Sequence, residues 1–158
     1  MRFENVHFRA YREGRLTASG EAAEFVYFRN SGELVASTLG VDLPQEGSAP
    51  ARITAPRVVG DVPGRSFEGR GGLLLLRGSD EVRTESARYL ESDGLVRGDL
   101  PVEVRGPGFR LTGPAFTLDP RSGELDVRGG ARLLVTPAAG PRGPGAAAGP
   151  RQKDPPRP

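Results

Sequence analysis

Thr84-Glu85-Ser86-Ala87-Arg88-Tyr89-Leu90, then Glu91-Ser92-Asp93-Gly94, then Leu95-Val96-Arg97-Gly98-Asp99-Leu100-Pro101-Val102-Glu103-Val104, is the stretch whose reading decides the fold. It holds a Thr, a small residue, an aromatic-apolar step, a polar turn and a second apolar run. The same order recurs from Leu16-Thr17, Ile53-Thr54 and Leu111-Thr112, with steps of 37, 30 and 28 residues between successive Thr. The small residue is Ala23, Ala55, Ala87 and Ala115 in turn, and the turns are Asn30-Ser31-Gly32, Pro63-Gly64, Ser92-Asp93-Gly94 and Pro120 to Gly123. A repeat this long is one supersecondary unit that cannot bury its own apolar face, so the copies must stack or close on one another. The pattern predicts a built surface or groove rather than a catalytic pocket.

Alternation identifies the unit as β. Val6, Phe8 and Ala10 alternate with His7, Arg9 and Tyr11; Val102 and Val104 flank Glu103; Phe109 and Leu111 flank Arg110; Leu125 and Val127 flank Asp126. Period two means one face buried and one wet. Turn residues recur at the spacing of short antiparallel strands, and Gly or Pro interrupts most windows long enough for a helix. Ser79 to Asp93 alone lacks a breaker and carries a weak helical stripe at Val82, Ser86, Tyr89 and Leu90. The repeat alignment argues for two strand segments there instead. Leu73-Leu74-Leu75-Leu76, bounded by Gly72 and Gly78, reads as a strand buried on both faces or the middle of a sandwich.

Composition sets limits on function. Of the 158 residues, 1 to 136 are expected to form one domain. Residues 137 to 158 hold 7 Pro and 4 Gly and read as a disordered Pro/Gly/Arg-rich tail. The tail carries +3 of the formal +2, which leaves the domain at −1. The basicity therefore does not describe a nucleic-acid-binding surface. No Cys is present, so disulfides, thiol catalysis and Cys-based metal sites are excluded. No signal peptide and no apolar run of transmembrane length is seen in the sequence as given. The chain is thus either unexported as written, or an export segment or anchor precedes it in the full product.

Catalytic frames are missing. His7 is the one His and is expected on the solvated side of the first strand. Asp119, Glu124 and Asp126 gather at a turn, but their spacing does not match an oxygen-ligand loop for Ca²⁺. Arg70-Gly71-Gly72 and Arg128-Gly129-Gly130 lack the aromatic interleaving of an RNA-binding segment and read as turns or bulges. No phosphate-binding glycine loop is present. The expectation is a protein with no catalytic residue, metal or cofactor, and so not an enzyme.

Phe3-Glu4-Asn5-Val6-His7-Phe8, the turn at Gly14, and Leu16 to Ala22 resemble the opening of the lipopolysaccharide-export proteins LptC and LptA, the OstA-like family. Thr84 to Tyr89 with Gly94 to Val104 is similar to that family's small-aromatic-turn unit, and Phe109 to Val135 to its closing hairpin. The likeness spans about residues 3 to 135 and is nearest LptC. It implies an all-β open jellyroll of short antiparallel strands whose apolar interior shields acyl chains of lipopolysaccharide. The groove would be lined by Phe25, Tyr27, Leu73, Leu75, Tyr89, Phe109, Phe116 and Leu118. The implied partners are the inner-membrane export ABC transporter and LptA-like domains. These pair along edge strands at Val6 and Phe8 and at Leu133 and Val135. The implied location is the periplasm, in association with the inner membrane. The chain departs from LptC in lacking a membrane helix and in carrying the tail. A polymerising β-solenoid scaffold, bactofilin-like, is the competing expectation, although the irregular steps suit it poorly.

Overall fold

The structure is a computed structural model that describes residues 1–45 and 47–136; the tail expected over 137–158 lies outside them. Twelve strands follow in order: β1 Arg2–Arg12, β2 Arg15–Phe28, β3 Glu33–Gln45, β4 Ser48–Asp61, β5 Ser66–Arg77, β6 Asp80–Leu90, β7 Leu95–Gly98, β8 Val102–Gly106, β9 Phe109–Gly113, β10 Ala115–Leu118, β11 Leu125–Arg128 and β12 Arg132–Val135. They form one sheet, and all its pairings are antiparallel. This architecture is an open β-jellyroll. A solenoid needs stacked parallel strands, so that alternative is overturned.

The sheet is a meander folded along a crease. β1 to β6 are long strands that cross the crease without a break. Beyond them each crossing is split in two: β7 and β8 are separated at Asp99 to Pro101, β9 and β10 at Pro114, and β11 and β12 at Gly129 to Ala131. β6 shows the division, because its first half pairs with β8 and its second half with β7. The expectation of two strand segments over Ser79 to Asp93 is therefore corrected. One continuous strand serves two neighbours.

Two inward ladders line the two wings. The upper wing carries Phe8, Gly20, Val41, Ile53, Leu75, Val82, Val104, Leu111 and Leu133 directly opposite one another. The lower wing carries Tyr27, Leu34, Gly60, Phe67, Tyr89, Val96, Leu118 and Leu125. Each long strand must swap faces between the wings, since side-chain direction alternates with period two. The swap occurs at local irregularities. Asn5 and Thr38 adopt left-handed φ values of 51° and 52°, and Gly71 and Gly72 take 88° and 95°. The register slips beside Pro56 and again across Gly71-Gly72. These are bulges of the kind that sharpen a bend.

The wings close on each other at the C-terminal half. Val82, Val102 and Val104 from above pack with Ala87, Phe116 and Leu118 from below, joined by Leu75, Val96, Leu111, Leu125 and Val127. A smaller cluster of Ala36, Ala55 and Val58 holds the N-terminal half, with Phe25, Leu39, Phe67 and Leu73 against it. Leu73 to Leu76 is not buried on both faces as expected. Leu76 points outward and is 40% exposed, because the outer face of β5 has no second layer over it.

Candidate functional site

The candidate site is the space between the wings. Five of the seven Phe, at 8, 25, 67, 109 and 116, supply its bulk, and four of these lie directly across from a glycine on the neighbouring strand. Phe8 faces Gly20, Phe67 faces Gly60, Phe109 faces Gly106 and Phe116 faces Gly98. The rings occupy the space over the bare backbone. A Cβ at Gly98 would come 2.1 Å from Phe116 Cε1, one at Gly106 2.1 Å from Phe109 Cε1, one at Gly60 2.6 Å from Phe67 Cδ1, and one at Gly20 2.7 Å from Phe8 Cζ. An aromatic ring over a glycine covers backbone hydrogen bonds and fills the width of two residues, an arrangement known to rescue strand glycines. Sequence reading missed this pairing. The available signal was isolated glycines inside otherwise regular strands, which mark close approach of another group.

All eight expected groove residues lie on inward positions. Phe25 pairs with Ala36 and packs on the smaller cluster; Leu73 and Leu75 adjoin the larger one. Tyr27 and Tyr89 stand on the lower ladder and are half-buried. Phe109 is half-buried. Phe116 and Leu118 are only 2% and 6% exposed, so the protein itself covers them. The interior is therefore graded. The β6–β12 end is filled by its own side chains. The β1–β4 end is lined by small residues (Gly20, Ala22, Ala36, Ala55) and bridged by Phe8 and Phe25, whose rings are 6.1 Å apart and tilted 42°.

Among the described residues, both ends of the sheet are unpaired edges. β1 bonds only to β2, β11 only to β10, and β12 only to β9. Val6 and Phe8 face inward on β1 and are half-buried. On β12, Leu133, Leu134 and Val135 are 57%, 56% and 67% exposed, so both faces of that strand are apolar and open. Phe3, Tyr11 and Phe28 are exposed around the other end.

The outer face carries acid–arginine pairs. Arg52 spans Gly40 to reach Glu21 and donates to Asp42 Oδ2 at 2.8 Å. The Glu21 bond, then that to Asp42, holds the guanidinium further up than usual. Glu103 accepts from Arg110 and Arg105, and those bonds, Arg110 first, hold its carboxyl below the ordinary range. Arg83 does the same for Glu81, and Arg70, assisted by Arg88, for Glu68. A trough of about 600 Å³ near β1 is lined mainly by polar outward residues, His7, Arg9, Ser19, Glu21 and Asp42. None of the expected groove residues lines it. His7 is exposed. Among the described residues, no group of three or more His, Asp or Glu is placed to hold a metal ion. Asp119 and Glu124 belong to a self-bonded turn: Asp119 Oδ1 accepts from the Arg121 amide at 2.8 Å and the Ser122 amide at 3.4 Å. Asp126 lies on β11 opposite Thr117.

No family model matches this chain, and no curated protein matches it. Among solved structures it is similar to LptH, the LptA-homologous periplasmic component of the conserved lipopolysaccharide transport device from Pseudomonas aeruginosa. The TM-score is 0.56, with 13% sequence identity over 76% of this chain and 95% of that one. At that identity the likeness is one of fold, and it makes the creased meander an LptA-like open β-jellyroll.

Proposed function

We propose that this domain is a non-enzymatic transport module of the cell envelope that shields the acyl chains of lipopolysaccharide between its wings. The observation that carries the reading is the continuous inward apolar ladder on each wing, ended at both sides by unpaired strands. Shielding an acyl chain is worth ~25 cal/mol per Å² removed from water, and a strand ladder supplies apolar surface along its whole length. A headgroup stays wet at the mouth. Phe25, Tyr27, Leu73, Leu75, Tyr89 and Phe109 would line the path, and Phe116 and Leu118 its filled end. Unpaired edges invite strand addition. β1 at Val6 and Phe8 and β12 at Leu133 and Val135 would join similar LptA-like domains into a stack, fed by an inner-membrane ABC transporter. The fold likeness to a periplasmic transport component supports the periplasm as the location. The opening from Phe3 to Phe8 favours an LptC-like place beside the inner membrane.

The test is native mass spectrometry of the protein purified from a Gram-negative host with lipids retained. A mass increment of lipid A or lipopolysaccharide is expected. A bare protein mass that does not shift on adding lipopolysaccharide would sink the reading.

A further inference from the structure

The turn between β10 and β11, Asp119 to Glu124, reaches out of the lower wing and touches two separate hairpins of the upper one. Gln45 Nε2, at the end of β3, donates to the Pro120 carbonyl at 3.3 Å. Arg77 Nη1, at the end of β5, donates to the Ser122 carbonyl at 3.1 Å. The Arg77 guanidinium also rests on Gly123, where a Cβ would lie 0.9 Å from Nη1. Gly123 sits at φ 74°, so the position suits only a residue without a side chain on both counts.

The turn is stiff in its own right. Besides the two bonds to Asp119 Oδ1, the Gly123 amide donates to the Asp119 carbonyl at 2.8 Å and the Asp119 amide to the Glu124 carbonyl at 2.9 Å. It therefore presents the Pro120 and Ser122 carbonyls as a preformed pair. The strands behind it are built to pivot. β7, β10 and β11 have four residues each, and all three reach the upper wing through a break: Asp99 to Pro101, Pro114, and Gly129-Gly130 at φ 81° and 96°. Their inner side carries Phe116, Leu118, Leu125 and Val127, which cover Val82, Val102 and Val104.

We propose that the Asp119–Glu124 turn is a latch across the mouth of the folded sheet. Its release lets β7, β10 and β11 swing outward, with the β6–β7 ladder at Arg88 to Leu90 as the hinge, and opens the filled C-terminal half of the interior to an acyl chain. The latch stands on the contacts just given; the identity of what enters rests on the transport reading. The Arg77 bond is exposed and the Gln45 bond part-buried; side-chain bonds to a turn at the surface suit a latch, because water can take their place.

The chain has no Cys, so a single introduced thiol reports opening. Val104→Cys is made in the otherwise native protein and in Gln45→Ala/Arg77→Ala, and maleimide labelling is timed. Ala55→Cys, at the crease on the N-terminal side, is the reference. Unlatching is expected to speed labelling at 104 by about tenfold or more and to leave 55 unchanged. Equal rates at 104 would overturn the latch, and a parallel rise at 55 would reduce it to general loosening. Uptake of fluorescent lipid A from micelles is then timed on the same two proteins without thiols. Faster uptake by the unlatched protein is expected. Unchanged uptake refutes the gating role. Lipid A refused by both proteins, with labelling at 104 still accelerated, removes the transport reading and leaves the latch.

Discussion

Alanine at position 98 should change the sign of its effect according to what stands at position 116. Gly98 lies in β7 at an ordinary strand φ, and the three atoms nearest a new Cβ all belong to the Phe116 ring, at 2.1 to 2.8 Å. Backbone alone favours alanine, since a strand glycine is less stable than alanine by roughly 0.5–1 kcal/mol. The ring reverses this. It is 2% exposed and wedged among Val82, Val102 and Leu118, so it has nowhere to retreat. Overpacking of this kind costs about 1–3 kcal/mol, and Gly98→Ala should destabilise by about 1–2 kcal/mol once the backbone gain is deducted. Phe116→Ala alone should lose about 3–5 kcal/mol through the cavity it leaves. In the double variant the added methyl has no ring to meet and fills part of the hole. Gly98→Ala should then be neutral or stabilising, a coupling of about 1–3 kcal/mol. Urea unfolding followed by far-ultraviolet circular dichroism gives all four corners of the cycle. Additive effects, with Gly98→Ala equally harmful in both backgrounds, would refute the claim that the ring occupies the glycine's missing side chain.

Thr38 is a β-branched residue at φ 52°, a conformation strained for it, so Thr38→Gly should raise the urea midpoint by the equivalent of about 0.5–1 kcal/mol; a lower midpoint would mean the threonine contributes contacts that outweigh the strain. Glu103, Glu81 and Glu68 all have carboxyls held below their ordinary 4.5 by neighbouring arginines. A depressed carboxylate contributes stability above its unfolded value and loses it as pH falls through the folded one. The melting temperature should therefore hold steady above that value and drop below it, with a smaller drop in Glu103→Gln; identical pH profiles for the two proteins would remove Glu103 from the account. Arg52→Met should cost no more than about 1 kcal/mol despite two acidic partners, because the pairs are more than a third exposed and screened by water; calorimetry showing a much larger loss would mean that Glu21 and Asp42 are less solvated than their exposure indicates.

Sequence reading recovered the class of structure because it depends on period two, and period two is written in single residues such as Val102, Glu103 and Val104. The fourfold repeat was real as well. Thr17, Thr54 and Thr84 fall on β2, β4 and β6, and Thr112 on β9, so the four mark successive strands running one way. Each step in the repeat is one hairpin. The crease was not legible, because no composition marks it. Three different devices make the same turn: left-handed Asn5 and Thr38, the Pro56 slip, and the Gly71-Gly72 pair. Each satisfies the same geometric demand by a different backbone route, so no common motif exists to be found. Burial of Leu73 to Leu76 was misjudged for a related reason. An apolar run shows that a strand is hydrophobic, and it does not show whether a second layer covers the outer face.

The small residue of each repeat is where these levels meet. Ala55 sits beside the Pro56 slip, Ala87 just past the face change in β6, and Ala115 next to Pro114; Ala23 lies opposite Thr38. Ala55 and Ala87 face inward and are buried, whereas Ala23 is exposed and Ala115 lies on the outward side of β10; at the two inward positions a large side chain would hold the wings apart. The same repeat leaves its aromatics, Phe25, Tyr89 and Phe116, beyond the crease on the lower wing, where the gap has widened enough to take a ring. Inward Ala55 and Ala87 at the fold line and rings away from it thus shape the interior as a wedge. The wedge is filled at the β6–β12 end because Phe116 and Leu118 meet Val82, Val102 and Val104 there. It is left with alanines and glycine at the β1 end, where Phe8 and Phe25 alone bridge it. A repeat that specified only a sheet would not need that order. An order that places bulk by distance from the crease specifies a cleft.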